Sequence, residues 1–434
     1  TNPGARYAAS TKAVIRITKK KIQGEGFGFD AMTTGEYDEK KDFGGYSRLN
    51  MSYRKNGLEL GAYAFGARQY QPDDKDMQQK TYLDKTWNQK SEIGQVGIVK
   101  AMNFRLDASY QLDANNSIGA NFGFLRIPKQ TIEASMTTAI WQDEEQTESS
   151  DSHANFFDQK STLSSNVYYV GKIGKLGIDF NTDWLWSKNN EDVVTKEQYQ
   201  EVGMDAQSQT VHSLTDKKYR LLASKLVLSY PLLGGELSLG GEYSNTHRTS
   251  KYQVVPTNFV SDDDSRITES MASSFLAYSR DFGKLSMEAG LRYEYIDFNY
   301  YEYGKYVPEQ SKSYGNWFPS VSLSMPVGKV QMQLSYSADI DRPSYHFLRS
   351  GIQYDNRYTY ETGNPFLVSQ INNNLNYELA YKWLIFDMTY SHTSNPIMST
   401  VETYKDSAAI GLMKVVNGKS YIDLEASVHL RPSF

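Results

Sequence analysis

Few residues of this sequence stand at spacings that support catalysis. There is no HExxH metal motif, no GxSxG nucleophile elbow and no Walker loop for phosphate. Gly24, Gly26 and Gly28 alternate along a strand-like stretch with no helix after them, so they are not a nucleotide fingerprint. The six histidines (His153, His212, His247, His346, His392 and His429) are scattered, with no pair at ligand spacing. No nucleophile is accompanied by a base, and the chain reads as a non-enzyme. With no cysteine, disulfides and thiolate metal sites are excluded.

Two groupings are suited to binding. The acidic runs Asp73-Asp74-Lys75-Asp76, Asp143-Glu144-Glu145 and Asp262-Asp263-Asp264 offer oxygen ligands for calcium, although a solvated loop tip has the same composition. No other cofactor is expected. Arg342, Tyr345, His346, Phe347, Tyr354, Tyr358 and Tyr360 crowd into one polar stretch. Their rings would stack on a flat or sugar-like ligand. In the plainer reading they pack the loop down while Pro343 and Gly363-Asn364-Pro365 set its turns.

These groups must be held by two-faced strands. Between 317 and 338, Val321, Leu323 and Met325 alternate with Ser320, Ser322 and Ser324. After the turn Pro326-Val327-Gly328-Lys329, Val330, Met332, Leu334 and Tyr336 alternate with Gln331, Gln333 and Ser335. Side chains on a strand point to opposite faces in turn, so this is an antiparallel hairpin with one greasy and one wet face. The pattern recurs along the chain. Tight joins fall near Asn56, Asn115, Lys172, Gly234, Gly283, Gly328 and Trp383, one every 45 to 62 residues. Long polar joins are expected at 71–79, 142–155, 189–216, 245–265 and 341–367. Short turns at one rim and long loops at the other describe an outer-membrane barrel of about sixteen strands.

The bulk numbers agree. Mean hydropathy is −0.60 and no run approaches the roughly 20 apolar residues of a membrane helix, but a barrel shows lipid only every second residue. A net charge of −5 gives no footprint for nucleic acid. The 33 Tyr, 19 Phe and 6 Trp suit the rims of a lipid band. A sandwich or a propeller would use shorter strands. Asp107, Asp179, Glu236, Glu242, Glu288, Arg292 and Glu378 fall on the polar face and must look into a wet lumen or a plug.

Two stretches carry a family likeness. The opening Asn2-Pro3-Gly4-Ala5-Arg6-Tyr7, followed by Ala13-Val14-Ile15-Arg16-Ile17-Thr18-Lys19-Lys20, resembles the end of the plug domain of TonB-dependent outer-membrane receptors. Arg342-Pro343-Ser344-Tyr345 and Gly363-Asn364-Pro365-Phe366-Leu367, then Glu378-Leu379-Ala380-Tyr381, resemble the RPxY, GNPxL and ELxY signatures of their large-barrel branch.

The resemblance implies a 22-strand barrel in a Gram-negative outer membrane, plugged from its N-terminal side. It would take up an extracellular solute with energy from an inner-membrane TonB complex. Residues 1–21 would be the plug's end and 22–434 the barrel, with about six strands and most of the plug outside this chain. Arg16 and the pair Thr11-Lys12 depart from the usual plug strand. Phe434, in phase with Val428 and Leu430, instead suits a closed sixteen-strand barrel, which Pro432 opposes. A passive pore and an accessory docking subunit are the alternative functions. Lipid, lipopolysaccharide and a surface lipoprotein are the further partners expected.

Overall fold

Alternating Val, Leu, Tyr, Phe and Thr fit a pleated surface, and the chain is strand almost throughout. The computed structural model describes residues 4–12, 14, 24–37, 43–82, 85–405 and 407–431. Asn2, Pro3, Pro432, Phe434 and all of the expected 13–20 strand but Val14 lie outside the described residues.

The strands begin with β1 (Gly26–Tyr37), β2 (Phe43–Lys55), β3 (Leu58–Tyr82), β4 (Thr86–Gln111) and β5 (Ser117–Gln142). Next come β6 (Glu145–Ile173), β7 (Leu176–Glu201), β8 (Gln207–Leu232), β9 (Gly235–Val255), β10 (Asp263–Phe282) and β11 (Leu285–Glu302). Then follow β12 (Lys305–Tyr306), β13 (Lys312–Val327), β14 (Val330–Asp341), β15 (Ile352–Asn356) and β16 (Thr359–Thr362). The series ends with β17 (Gln370–Tyr381), β18 (Leu384–Ser394), β19 (Ile397–Tyr404), β20 (Ser407–Asn417) and β21 (Tyr421–Leu430).

One antiparallel up-and-down sheet holds sixteen long strands and the two-residue β12, in agreement with the expected number. β14 pairs with β17 and β18 with β21, because the chain between them leaves the wall to build a second sheet.

The tight joins fall where the residues placed them, with one shift: β6 continues through Lys172 to Ile173, and Gly174 makes the turn. Asn56 and Gly57 have φ of 50° and 79°, and Leu233 and Gly234 50° and 75°. Two consecutive positive φ values twist a two-residue hairpin in the sense its strands need.

The long joins are corrected. Residues 71–79 lie inside β3, most of 142–155 in β5 and β6, and most of 189–216 in β7 and β8. Of 245–265, only 256–262 leaves the ladder. Beyond the lipid band a strand needs no greasy face. Its pattern dissolves into polar residues on both sides while the main-chain ladder continues.

Register assigns the faces. Leu60, Leu106, Phe122, Leu226, Leu276 and Leu334 share the exposed outer face. The seven charges expected to point inward are on the opposite face. Residues 4–12 lie against that face: Arg6 meets Asp179 of β7 at 2.6 Å, Lys225 of β8 stands over Tyr7, and Lys12 meets Asp339 of β14 at 2.6 Å. The charged face thus curves around this segment.

Candidate functional site at the barrel mouth

The distinctive loop after β14 turns inward. Its hairpin β15–β16 joins the hairpin β19–β20 through a parallel β16–β20 pair, giving a four-stranded sheet. One side of this cap packs Tyr354, Tyr360 and Leu412 against Val211, Tyr252 and Val254 of β8 and β9. Beside it, Leu348, Leu367 and Val415 meet Ile267, Ile296 and Phe298 of β10 and β11. Each such fully buried side chain contributes roughly 1.5–3 kcal/mol of apolar transfer.

Phenols and arginines fasten the cap to acids of the wall. The Tyr354 hydroxyl donates to Glu197 at 2.5 Å and that of Tyr358 to Glu148 at 2.9 Å. Arg357 donates through Nε to Glu148 at 2.9 Å and stacks on Tyr199 at 3.5 Å. The Tyr345 hydroxyl donates to Glu269 at 2.9 Å. Burial first, then the facing carboxylates, pushes the Tyr354 and Tyr358 phenols far up, so both stay donors. His346 lies 2.9 Å and Arg349 3.2 Å from Glu361, and the His346 hydrogen bond leads in holding that carboxyl below its ordinary range.

Tyr354, Tyr358 and Tyr360 are therefore buried, with Tyr360 wedged 5.5 Å from Tyr354 and 4.8 Å from Tyr404 between ring centres. Tyr345 and His346 sit at the half-buried root of the cap. The turn motif is structural in its contacts. A side chain at Gly363 would strike the Arg349 and Phe347 carbonyls, and the Asn364 amide donates to Val415 O at 3.2 Å. Asn417 brackets Val368, accepting from its N–H at 2.9 Å and donating to its carbonyl at 3.0 Å.

Below the cap lies a charged junction. Glu294 of β11 is almost wholly buried; one oxygen accepts from Arg292 at 2.5 Å and from the Ala9 amide at 3.0 Å, and the other pairs with Arg342. Arg292, 1% exposed, also reaches Glu242 at 3.1 Å and Ser273 at 2.7 Å. Arg342 and Arg6 thus meet acids of the wall, while Tyr7 lies under Lys225. A cavity of about 460 Å³ opens between residues 4–12 and β13, β14, β17 and β18, lined by neutral polar residues such as Gln333, Ser335 and Asn374 and by the charged Lys12, Asp339, Glu378 and Asp387.

The acidic runs do not converge. Asp73-Asp74-Lys75-Asp76 lies on β3, where neighbours alternate faces, and Lys75 pairs with Asp73 at 2.5 Å. Asp143 is in a turn and accepts from the Thr86 amide at 3.0 Å. Among the described residues no three His, Asp or Glu are grouped to hold a metal. The reading of the residues missed Glu148, Glu197 and Glu294 as anchors and the whole β19–β20 hairpin. Only the parity of Glu294, two residues from Arg292 on the wet face, signalled an anchor.

Long antiparallel architecture and an outward apolar band define an outer-membrane β-barrel. The profile of the outer membrane protein beta-barrel family matches residues 171–429, and the chain belongs to that family. It is a protein of the Gram-negative outer membrane. No curated protein matches it in sequence.

Among the solved structures similar to it, two illustrate the shared fold. One is a mutant of the Serratia marcescens hemophore receptor HasR, in complex with its hemophore HasA and heme. It is 12% identical with TM-score 0.51, over 93% of this chain and 61% of that one. The other is a mutant of the Pseudomonas aeruginosa ferric enterobactin receptor PfeA, in complex with enterobactin. It is 15% identical with TM-score 0.52, over 98% of this chain and 63% of that one. The chain thus spans less than two thirds of the length of either receptor.

Proposed function

We propose that this chain is the barrel and part of the gate of a receptor that actively takes up an extracellular solute, energised by an inner-membrane TonB complex. The observation that carries the reading is the double use of Glu294. It holds the Ala9 amide of the lumenal segment and Arg342 at the root of the cap, so one carboxylate ties gate to lid. Displacing residues 4–12 toward the periplasm would take the Ala9 carbonyl from Ile340 and the Lys12 ammonium from Asp339 and Asp341, leaving those acids only the amides of Gln370, Asn372 and Asn374. The polar cavity beside that segment is the route a hydrophilic solute would follow. A lumen occupied at both levels is hard to reconcile with an open pore.

The test is growth of a deletion strain on candidate nutrients, complemented with the wild-type gene in backgrounds with and without TonB. Transport predicts restored growth that needs TonB, and near silence of the purified protein in planar bilayers. Growth independent of TonB together with steady conductance would replace transport with a passive pore. No nutrient phenotype, with a stable complex to another surface protein, would replace it with a docking subunit.

A further inference from the structure

Four neighbouring wall strands, β14, β17, β18 and β21, carry no lysine or arginine, although the chain has 46 of them in 434 residues. They carry six acids: Asp339, Asp341, Glu378, Asp387, Asp423 and Glu425. Register sets Tyr336, Leu375, Tyr390 and Leu424 in one row on the lipid side, so all six acids point into the lumen. Glu378 stands directly opposite Asp387, a placement of like charges that works against the sheet. Among the described residues Glu378, Asp423 and Glu425 meet no cation, and Asp387 has only the His429 ring at 3.8 Å.

The ammonium seated on this face comes from the lumenal segment. Lys12 lies 2.6 Å from Asp339 and 2.9 Å from Asp341. Asn372 faces Asp339, and Glu378 lies six residues farther along β17. That is roughly 20 Å at 3.3 Å per residue. The cavity of about 460 Å³ reaches both ends of this span. Between them it offers the amides and hydroxyls of Gln333, Asn374, Asn376 and Thr389. Arg292 closes another side; it is 1% exposed, and its Nη1 is buried with no hydrogen-bond partner. A buried donor left open is costly, and an acceptor oxygen brought beside it relieves that cost.

Such a wall repels anions and holds cations. Its amides match peptide groups, its carboxylates take ammonium or guanidinium groups, and Arg292 takes a carbonyl or carboxylate oxygen. We propose that the solute is a basic oligopeptide, bound in this cavity with its cations on Asp339, Asp341, Glu378 and Asp387. This rests on the uptake proposed for the chain and names its cargo. Lys12 is an internal stand-in, holding the upper seat until a cation of the peptide replaces it as residues 4–12 withdraw. Asp423 and Glu425 extend the acidic face on β21.

Calorimetric titration of the purified, detergent-solubilised full-length protein with trilysine, triserine and triglutamate tests the site. Trilysine should bind about tenfold more tightly than triserine, and triglutamate should not bind. The double variant Glu378→Gln/Asp387→Asn should weaken trilysine by about tenfold for each carboxylate lost and leave triserine unchanged. Removing two opposed like charges does not weaken the sheet, and heat-modifiable gel migration verifies that each barrel is folded. Asp205→Asn, between β7 and β8 on the extracellular rim, removes a charge elsewhere and should bind as wild type. Lys12→Met, which vacates the upper seat, should tighten trilysine. Equal affinity for the three peptides, a preference for triglutamate, an unaffected double variant or a matching loss in Asp205→Asn would each overturn the proposal. Binding is read without TonB, so the two readings fail separately. TonB-dependent growth without charge-selective binding overturns the peptide site alone, whereas charge-selective binding without such growth upholds the site and overturns uptake.

Discussion

The Ile340 amide donates to the Ala9 carbonyl at 3.2 Å. Residues of its parity on β14, from Val330 to Tyr336, bond instead to β13, and that pairing stops at Ser337. The lumenal segment therefore replaces a wall strand as the partner of β14, at the point where the chain turns inward toward the cap. Ala9, Phe318 and Ile340 close around the exchange as a small apolar cluster.

Removal of Glu294 should be costly. Glu294→Ala leaves Arg292 and Arg342 short of a partner in the wall, and breaking a buried ionic cluster costs roughly 3–5 kcal/mol. The urea midpoint of the detergent-solubilised protein should fall accordingly. In a cycle with Arg342→Ala the two losses should overlap by about 1–3 kcal/mol; strict additivity would mean the two residues do not interact.

The cap should loosen when its stitching is cut. Asn364→Ala deletes the bond to Val415 O and the acceptor of the Phe366 amide, for about 1–3 kcal/mol of local stability. Proteolysis should then nick near 352–362 or 397–417 well before the wall is cut. A digestion pattern like that of the wild type would show that the parallel β16–β20 pair holds the cap unaided.

Acid should tighten the cap. Asp263, at the outer tip of β10 and clear of the lipid band, touches Gly351, and burial before any other cause pushes its carboxyl up to about 6. A raised carboxylate pKa means the folded state holds a proton that the unfolded state, near 3.8, has released. Stability from this group is thus present at low pH and is lost as pH rises from about 3.8 through about 6. Protease protection of 352–362 should grow between pH 7.5 and 5.5, and Asp263→Asn should reduce that slope, the remainder coming from Asp355 within the cap, whose desolvation raises its carboxyl to about 7. An unchanged slope in the variant would assign the effect to another group.

The wall was largely legible. Val321, Leu323 and Met325 against Ser320, Ser322 and Ser324 announce β13, and Gly328 its turn, because lipid on one side and water on the other impose a strict period of two. The outer halves of β3 to β8 were not. With water on both faces nothing selects residue type, and Gln71, Asp73 and Lys75 read as loop although they extend the ladder. The cap was invisible for another reason. Its register joins Thr359 to Gly411 across fifty residues, and no local pattern reports so distant a pairing. Glu148 and Glu197 likewise look like ordinary polar strand residues until Tyr358 and Tyr354 arrive against them.

The two faces should respond differently to charge. Leu226→Arg, on the outer face near mid-band, should cost about 2–4 kcal/mol and impair assembly. Ser322→Arg, toward the lumen, should leave the fold intact. Comparable losses, measured as the heat-modifiable fraction in membranes, would mean the faces are assigned wrongly.

The continuation of β6 and β7 past the lipid has a bearing on the cell's encounters. Strands of 29 and 26 residues, tilted by about 40°, rise roughly 65 Å, of which the membrane takes about 25 Å. On the side of β3 to β8 a wall about 40 Å tall is left above the bilayer, lined at its inner surface by the cap. A bacteriophage fibre or an antibody approaching through the sugar coat would touch the rim at 202–206 before any lipid. Variation under immune or viral pressure would then concentrate on that rim.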